Sequence, residues 1–205
     1  FSWMARFAAR NSKAVTSNSP QLLEDLARIA EKDSQKRAFL KTKFSAIIYG
    51  VYPDKFRPTK KETEKIREEF SVAKKDLVVL GVGRLVVKKG FIYLIKAAPT
   101  ILKRIPNAKF LIIGDGELRQ SLEKLSKELK IGSQTFFLGF RKDMDKIYAD
   151  LDLVVISSLN EGSPVSIIEG MAAAKATPGR INFFIIFNTF PFLYEDMCNR
   201  FSLNF

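Results

Sequence analysis

Two hydrophobic rhythms run along the second half of this chain. Leu77 to Val82, Lys109 to Ile113, Thr135 to Leu138 and Leu153 to Ile156 are short, almost unbroken apolar runs, the pattern of strands buried on both faces. Between them Phe91, Leu94, Ile95, Ala98, Ile101, Leu102 and Ile105 recur at helical spacing, as do Leu118, Leu122, Leu125 and Leu129. Lys142 to Tyr148 and Pro164 to Ala174 read as two further helices. Pro99 falls inside the first helix and is expected to kink it. Strictly alternating strands and helices, with apolar strands, predict an α/β fold: a parallel sheet flanked by helices on both faces.

The first part is less regular. Lys13 to Ser17 reads as a short strand, Pro20 to Lys32 as a helix carrying Leu22, Leu23, Leu26, Ile29 and Ala30, and Ala46 to Tyr49 as a second strand. Gly50 to Pro58 is rich in turn residues, and Thr59 to Phe70 is a charged surface helix. The expected organisation is a first region over residues 1–49, a crossover and linker over 50–75, an α/β domain over 76–175 and a tail over 176–205.

Composition narrows the chemistry. The 205 residues are 46% hydrophobic and 27% charged, which is globular rather than disordered. No apolar run reaches the roughly 18 residues of a membrane-spanning helix. A single cysteine, Cys198, leaves no internal disulfide or cysteine metal cluster and fits a reducing cytoplasm. With no histidine in the sequence, histidine-based zinc sites, triads and general bases are excluded here. The net charge of +12 fits lysine-rich solvated faces, and it also suits nucleic acid, acidic lipid or a diphosphate.

In a parallel sheet, ligands bind at the carboxyl ends of the strands. The loop after Val82 offers Gly83 for close backbone approach, Arg84 as a planar fork for phosphate oxygens, and Lys89 just before a helix. It reads equally as an ordinary turn with exposed basic residues. Gly114-Asp115-Gly116 is a tight turn in which Asp115 caps the next helix. Gly139, Phe140 and Arg141 could face a flat base, though a plain turn explains them as well. The last loop carries Glu161, Gly162, Ser163 as N-cap, Pro164 at the first helical position, Val165, and Glu169 on the second turn. Carboxylates at this spacing could accept hydrogen bonds from two sugar rings, or simply complement the helix dipole.

Taken together these segments resemble a known family. Glu161 and Glu169 form a Glu-x7-Glu pair, preceded by Gly83-Arg84-Leu85 with Lys89-Gly90, Ile112 to Gly116, Phe137-Leu138-Gly139 and Tyr148 to Asp152. Ile48 to Val51 followed by Phe56-Arg57-Pro58 is similar to an interdomain crossover. The pattern, over roughly residues 13 to 175, resembles the retaining glycosyltransferases of family 4, group 1. The resemblance implies the C-terminal, Rossmann-like donor-binding domain of a GT-B fold, with a remnant of the acceptor-side N-terminal domain. It implies that Arg84 and Lys89 bind the donor diphosphate and stabilise its departure, with Glu161 on the transferred sugar. The amides from Gly162 to Val165 would take sugar or phosphate oxygens, Glu169 the ribose hydroxyls, and Gly139 to Arg141 would lie against the base. No cofactor or metal is implied: cations and a helix N-terminus take that role. The partner is a nucleotide-diphosphate sugar. The acceptor is a glycan or lipid, with peripheral contact to the cytoplasmic membrane face left open.

Two departures carry expectations of their own. The opening from Phe1 to Arg10 reads as the middle of a longer chain whose acceptor domain is missing, so sugar transfer by the isolated chain is not expected. After Lys175 a Phe- and Ile-rich stretch from Ile181 to Tyr194 replaces the family's short strand and Gly-Gly loop. A disturbed reading frame or sequence edge near residue 176 would explain it, and the stretch itself could pair as a strand or meet a membrane surface. The alternatives to a transferase are a sugar-nucleotide epimerase of similar architecture and a basic module that binds RNA or another polyanion. The missing histidine weighs against the former, and the burial expected for most aromatic residues weighs against the latter.

Overall fold

The computed structural model describes residues 2–47, 50–56, 65–159, 161, 164–176 and 183–186. The chain forms two compact units. One holds the first 50 residues together with Pro164 and Val165, and the other holds the rest.

In the first unit, helices α1 (Ser2–Asn11), α2 (Pro20–Ala30) and α3 (Ser34–Lys41) accompany a parallel pair, β1 (Val15–Ser17) and β2 (Phe44–Ala46). Ser19 caps α2, its hydroxyl accepting from the Leu22 N–H at 3.4 Å, and Pro20 supplies the preset first turn. Asp33 starts α3 in the same way, accepting from the Lys36 N–H at 2.9 Å. The core here is small, with Ala9, Ala30 and Leu40 at its centre. Sequence patterning missed α1 and α3, and it set the second strand two residues late.

The second unit is built on five parallel strands, β3 (Val78–Val82), β4 (Lys109–Ile113), β5 (Thr135–Gly139), β6 (Leu153–Ile156) and β7 (Phe183–Ile186). Their order is β5-β4-β3-β6-β7. Alternate residues feed opposite faces. Val79, Phe110, Ile112 and Val155 pack with α5 (Phe91–Arg104) and with Leu122 of α6 (Arg119–Glu128). Val78, Leu80, Leu111, Ile113, Val154 and Ile156 pack with Ile147 and Tyr148 of α7 (Met144–Asp150) and Ala173 of α8 (Val165–Ala176). Burial on both faces is why the strands read as continuous apolar runs. α5 continues through Pro99 to Arg104, so the proline does not end it. Burial of Leu94, Ile95, Ala98 and Ile101 opposes the local cost of the missing N–H. Residues 183–186, in the divergent tail, pair with β6 as the fifth strand, Leu153 opposite Phe183.

A buried arginine ties the crossover segment to this sheet. Arg67, in the short helix α4 (Lys65–Glu69), is 5% exposed. Its guanidinium donates to the carbonyls of Asp150, Ala73 and Asp76 and to the Asp152 carboxylate at 2.7–3.1 Å. Asp150, fully buried, accepts from the Ile66 N–H at 2.8 Å, and Asp152 also accepts from the Val78 N–H. The Ala149-Asp150-Leu151-Asp152 segment therefore holds α4 against the start of β3 and β6. With Phe56, Ile66 and Val72 in the same core, much of 50–75 belongs to the domain it precedes. Arg67→Ala should lower stability in urea unfolding by about 3 kcal/mol or more, the scale for breaking a buried ion pair from one side. A loss under about 1 kcal/mol would contradict this staple role.

Candidate functional site

The loops after β3, β4, β5 and β6 are joined backbone to backbone along one rim. Gly114 lies so close to the loop after β3 that a Cβ on it would sit 2.0 Å from the Gly83 carbonyl oxygen, and its φ of +126° suits glycine. The Gly114 N–H donates to the Gly139 carbonyl at 2.7 Å, linking the loop after β5. On the other side, Gly90 adopts a left-handed φ of +63°, and a Cβ there would meet the Ser157 carbonyl oxygen at 2.1 Å. No side chain fits between the loops after β3 and β6.

Leu85 fixes the course of the first loop. Its side chain is fully buried, its N–H donates to Asp115 and its carbonyl accepts from Leu118. A tight 3-10 turn over Val87–Lys89 then delivers Lys89 to the start of α5. The loop after β6 is stitched onto that turn: Ser157 Oγ donates to the Lys89 carbonyl and the Leu159 N–H to the Lys88 carbonyl, both at 2.9 Å.

Above these stitches the Lys89 ammonium forms an ion pair with Glu161 Oε1, and both side chains are largely shielded. Ser158 Oγ donates to the same carboxylate oxygen at 2.6 Å. Burial acts to raise the Glu161 pKa, but hydrogen bonds from Lys89 and Ser158 and the charges of Lys89 and Lys88 outweigh it and hold the group below its usual range. Arg84, in the same loop, is exposed and has no ion-pair partner among the described residues. Lys89 and Glu161 thus meet where the strand order reverses, between β3 and β6, the position at which open α/β sheets bind ligands.

Glu169 lies on α8 and does not touch that pair. It is half-buried, and desolvation raises its pKa, with Tyr148 and Lys55 pulling the other way. Tyr148 is its unforeseen neighbour. The phenol is buried edge-on to Phe56, and its hydroxyl makes no hydrogen bond of standard geometry. Burial and the Glu169 charge both push the Tyr148 pKa up.

The loop after β5 is divided in its roles. Phe140 is 77% exposed. The Arg141 fork, by contrast, is taken by two carboxylates, Glu69 at 2.6 and 3.0 Å and Asp143 at 2.9 and 2.8 Å. Asp115 does not cap the backbone of α6. Its carboxylate accepts from the Gly116 N–H and from Arg119 Nη1, so it closes the turn. Gly162 and Ser163 lie outside the described residues, whereas Pro164 directly precedes α8 and Val165 opens it. The sequence alone assigns no role to Ser157 and Ser158. Their function depends on register against Lys89, 68 residues away for Ser157.

The α/β architecture, parallel strands flanked by helices, matches that of GT-B glycosyltransferase structures. It superposes with a TM-score of 0.77 at 22% identity on Anabaena Alr3699/HepE, solved in complex with UDP and glucose, covering 97% of this chain and 55% of that one. Residues 62–177 match the family model of glycosyl transferases group 1, and the chain belongs to that family. It is 38% identical over 135 residues to the uncharacterized glycosyltransferase MJ1607 of Methanocaldococcus jannaschii, covering 64% of this chain and 34% of that protein. It is 32% identical over 133 residues to an Escherichia coli UDP-Gal:alpha-D-GlcNAc-diphosphoundecaprenol alpha-1,3-galactosyltransferase, covering 63% and 34%. The matched region is therefore about a third of the length of these curated relatives.

The Lys89–Glu161 pair sets a pH dependence. A carboxylate depressed in the folded state stabilises above its unfolded pKa, near 4.5, and loses that contribution as pH falls through the lower folded value. The stability advantage of wild type over Glu161→Gln, followed by denaturant unfolding, should be constant near neutrality and shrink below about pH 4.5. A gap that stays the same into strong acid would show that Glu161 is not held ionised by its partners.

Proposed function

We propose that this chain is the donor-binding part of a retaining glycosyltransferase that takes a sugar from a nucleotide diphosphate and passes it to an acceptor hydroxyl. The observation that carries the reading is the meeting of Lys89 and Glu161 over the reversal point of the sheet, with Arg84 exposed in the same loop and without an ion pair among the described residues. A diphosphate leaving group accumulates negative charge as the glycosidic bond lengthens. Two cations fixed beside that oxygen stabilise the charge more in the transition state than in the ground state. Arg84 offers a bidentate fork and Lys89 a point charge, which together serve the role a metal takes elsewhere. Glu161 would accept from hydroxyls of the transferred sugar, and Glu169 from the ribose. Phe140 would lie against the base, with the Arg141 fork acting as structural support for that loop.

Retention at the anomeric carbon and the absence of a metal requirement belong to this reading and follow from the resemblance of the Glu161–Glu169 pair. The acceptor is a glycan or lipid, and the setting is the cytoplasm, in keeping with one cysteine. Among the described residues no helix is long and apolar enough to cross a membrane. The family match gives no support to the epimerase or polyanion-binding readings.

Calorimetry against UDP-, GDP-, ADP- and CDP-sugars tests the proposal. One nucleotide class should bind, and Arg84→Ala should weaken it about ten- to hundred-fold, the worth of a charged hydrogen bond. Glu169→Ala should weaken the nucleotide with or without its sugar. Binding of none of the four, or unchanged binding by Arg84→Ala, would refute it.

A further inference from the structure

The ion pair at the centre of the site poses a problem for a phosphate ligand. Lys89 is the cation best placed at the start of α5, yet its ammonium is neutralised by Glu161, and Ser158 holds the same carboxylate oxygen in place. An anion approaching Lys89 must therefore compete with a fixed internal carboxylate. Beneath the pair the two loops are stitched together by Ser157 and Leu159, and Gly90 lies against the Ser157 carbonyl, so the exchange is assigned to the side chains.

We propose that Glu161 is an internal placeholder for the donor phosphate, and that it makes the site prefer the intact nucleotide sugar over the nucleoside diphosphate left after transfer. This rests on the donor-binding reading above and goes beyond it. Separating the pair strands two charges. A nucleoside diphosphate compensates Lys89 with its phosphate but leaves the Glu161 carboxylate short of a donor, with Ser158 as its remaining hydrogen bond among the described residues. A nucleotide sugar compensates both, its phosphate taking Lys89 and its sugar hydroxyls donating to Glu161. The penalty of an unsatisfied, shielded carboxylate thus falls on the spent nucleotide. Arg84, unpaired among the described residues, provides the first contact, after which Lys89 is exchanged from carboxylate to phosphate. The pair works as a discriminating element, sensing whether the sugar is still attached.

Binding constants for UDP, GDP, ADP and CDP and their glucose esters test this, measured on wild type, Glu161→Gln and Ser158→Ala. Wild type should favour the sugar-bearing form of whichever nucleotide binds. Glu161→Gln removes the competing charge, so it should bind the bare diphosphate about five- to ten-fold more tightly and hold the sugar ester no better, collapsing the preference. Ser158→Ala, which removes the hydrogen bond left to the stranded carboxylate while keeping its charge, should instead weaken the bare diphosphate more than the sugar ester and widen the preference. It also keeps the test valid should Glu161→Gln fold poorly. If wild type binds a nucleotide but both variants keep the wild-type ratio, or Glu161→Gln binds the bare diphosphate more weakly, the placeholder role is overturned while donor binding stands. If no nucleotide binds wild type, both readings fall.

Discussion

The contact on which the site depends is between two backbones. Gly90 and Ser157 approach so closely that a single methyl group would not fit, and the loops after β3 and β6 share hydrogen bonds on either side of that point. Neighbouring parallel strands lie about 4.8 Å apart. Loops leaving them at an order reversal normally diverge, because their helices cross on opposite faces of the sheet. Here the 3-10 turn over Val87–Lys89 and the left-handed Gly90 bring the first loop back over the crevice. That return places the Lys89 ammonium against Glu161.

Electrostatics then sorts the basic residues into two populations. Arg67, Arg119 and Arg141 have their guanidinium groups committed to carbonyls and carboxylates and hold α4, the turn after β4 and the loop after β5. Lys89 and Arg84 are different. One is engaged by a carboxylate that a ligand could replace, and the other has no ion pair among the described residues. The +12 charge of the chain therefore says little about function, while the state of two particular cations says a good deal. The same distinction separates the acids. Asp150 and Asp152 serve backbone N–H groups and Arg67, whereas Glu161 and Glu169 lie in or just beyond the rim segment.

Much of the second unit was legible because its strands are buried on both faces and its helices are long enough to show a period. β3, β4 and β6 fall where continuous apolar runs place them, and α5 and α6 follow their leucine and isoleucine stripes. The fork of Arg141 was the harder reading. A Gly-Phe-Arg turn looks alike whether its arginine faces a ligand or a pair of carboxylates, and Glu69 lies 72 residues away in sequence. Tyr148 is hidden for a similar reason: a tyrosine on an apolar helix face reads as core, and only the fold brings its hydroxyl near Glu169. In the first unit α1 and α3 contribute only Ala9 and Leu40 to the buried core, too little for a core-facing period to show in the sequence.

A structure of the chain with its nucleotide sugar bound would test the central claim most directly. The expected result is a diphosphate oxygen within hydrogen-bond distance of Lys89 Nζ and Arg84, Glu161 turned onto a sugar hydroxyl, and the Gly90–Ser157 contact unchanged. A nucleotide sugar bound elsewhere, with the Lys89–Glu161 pair still closed, would contradict it.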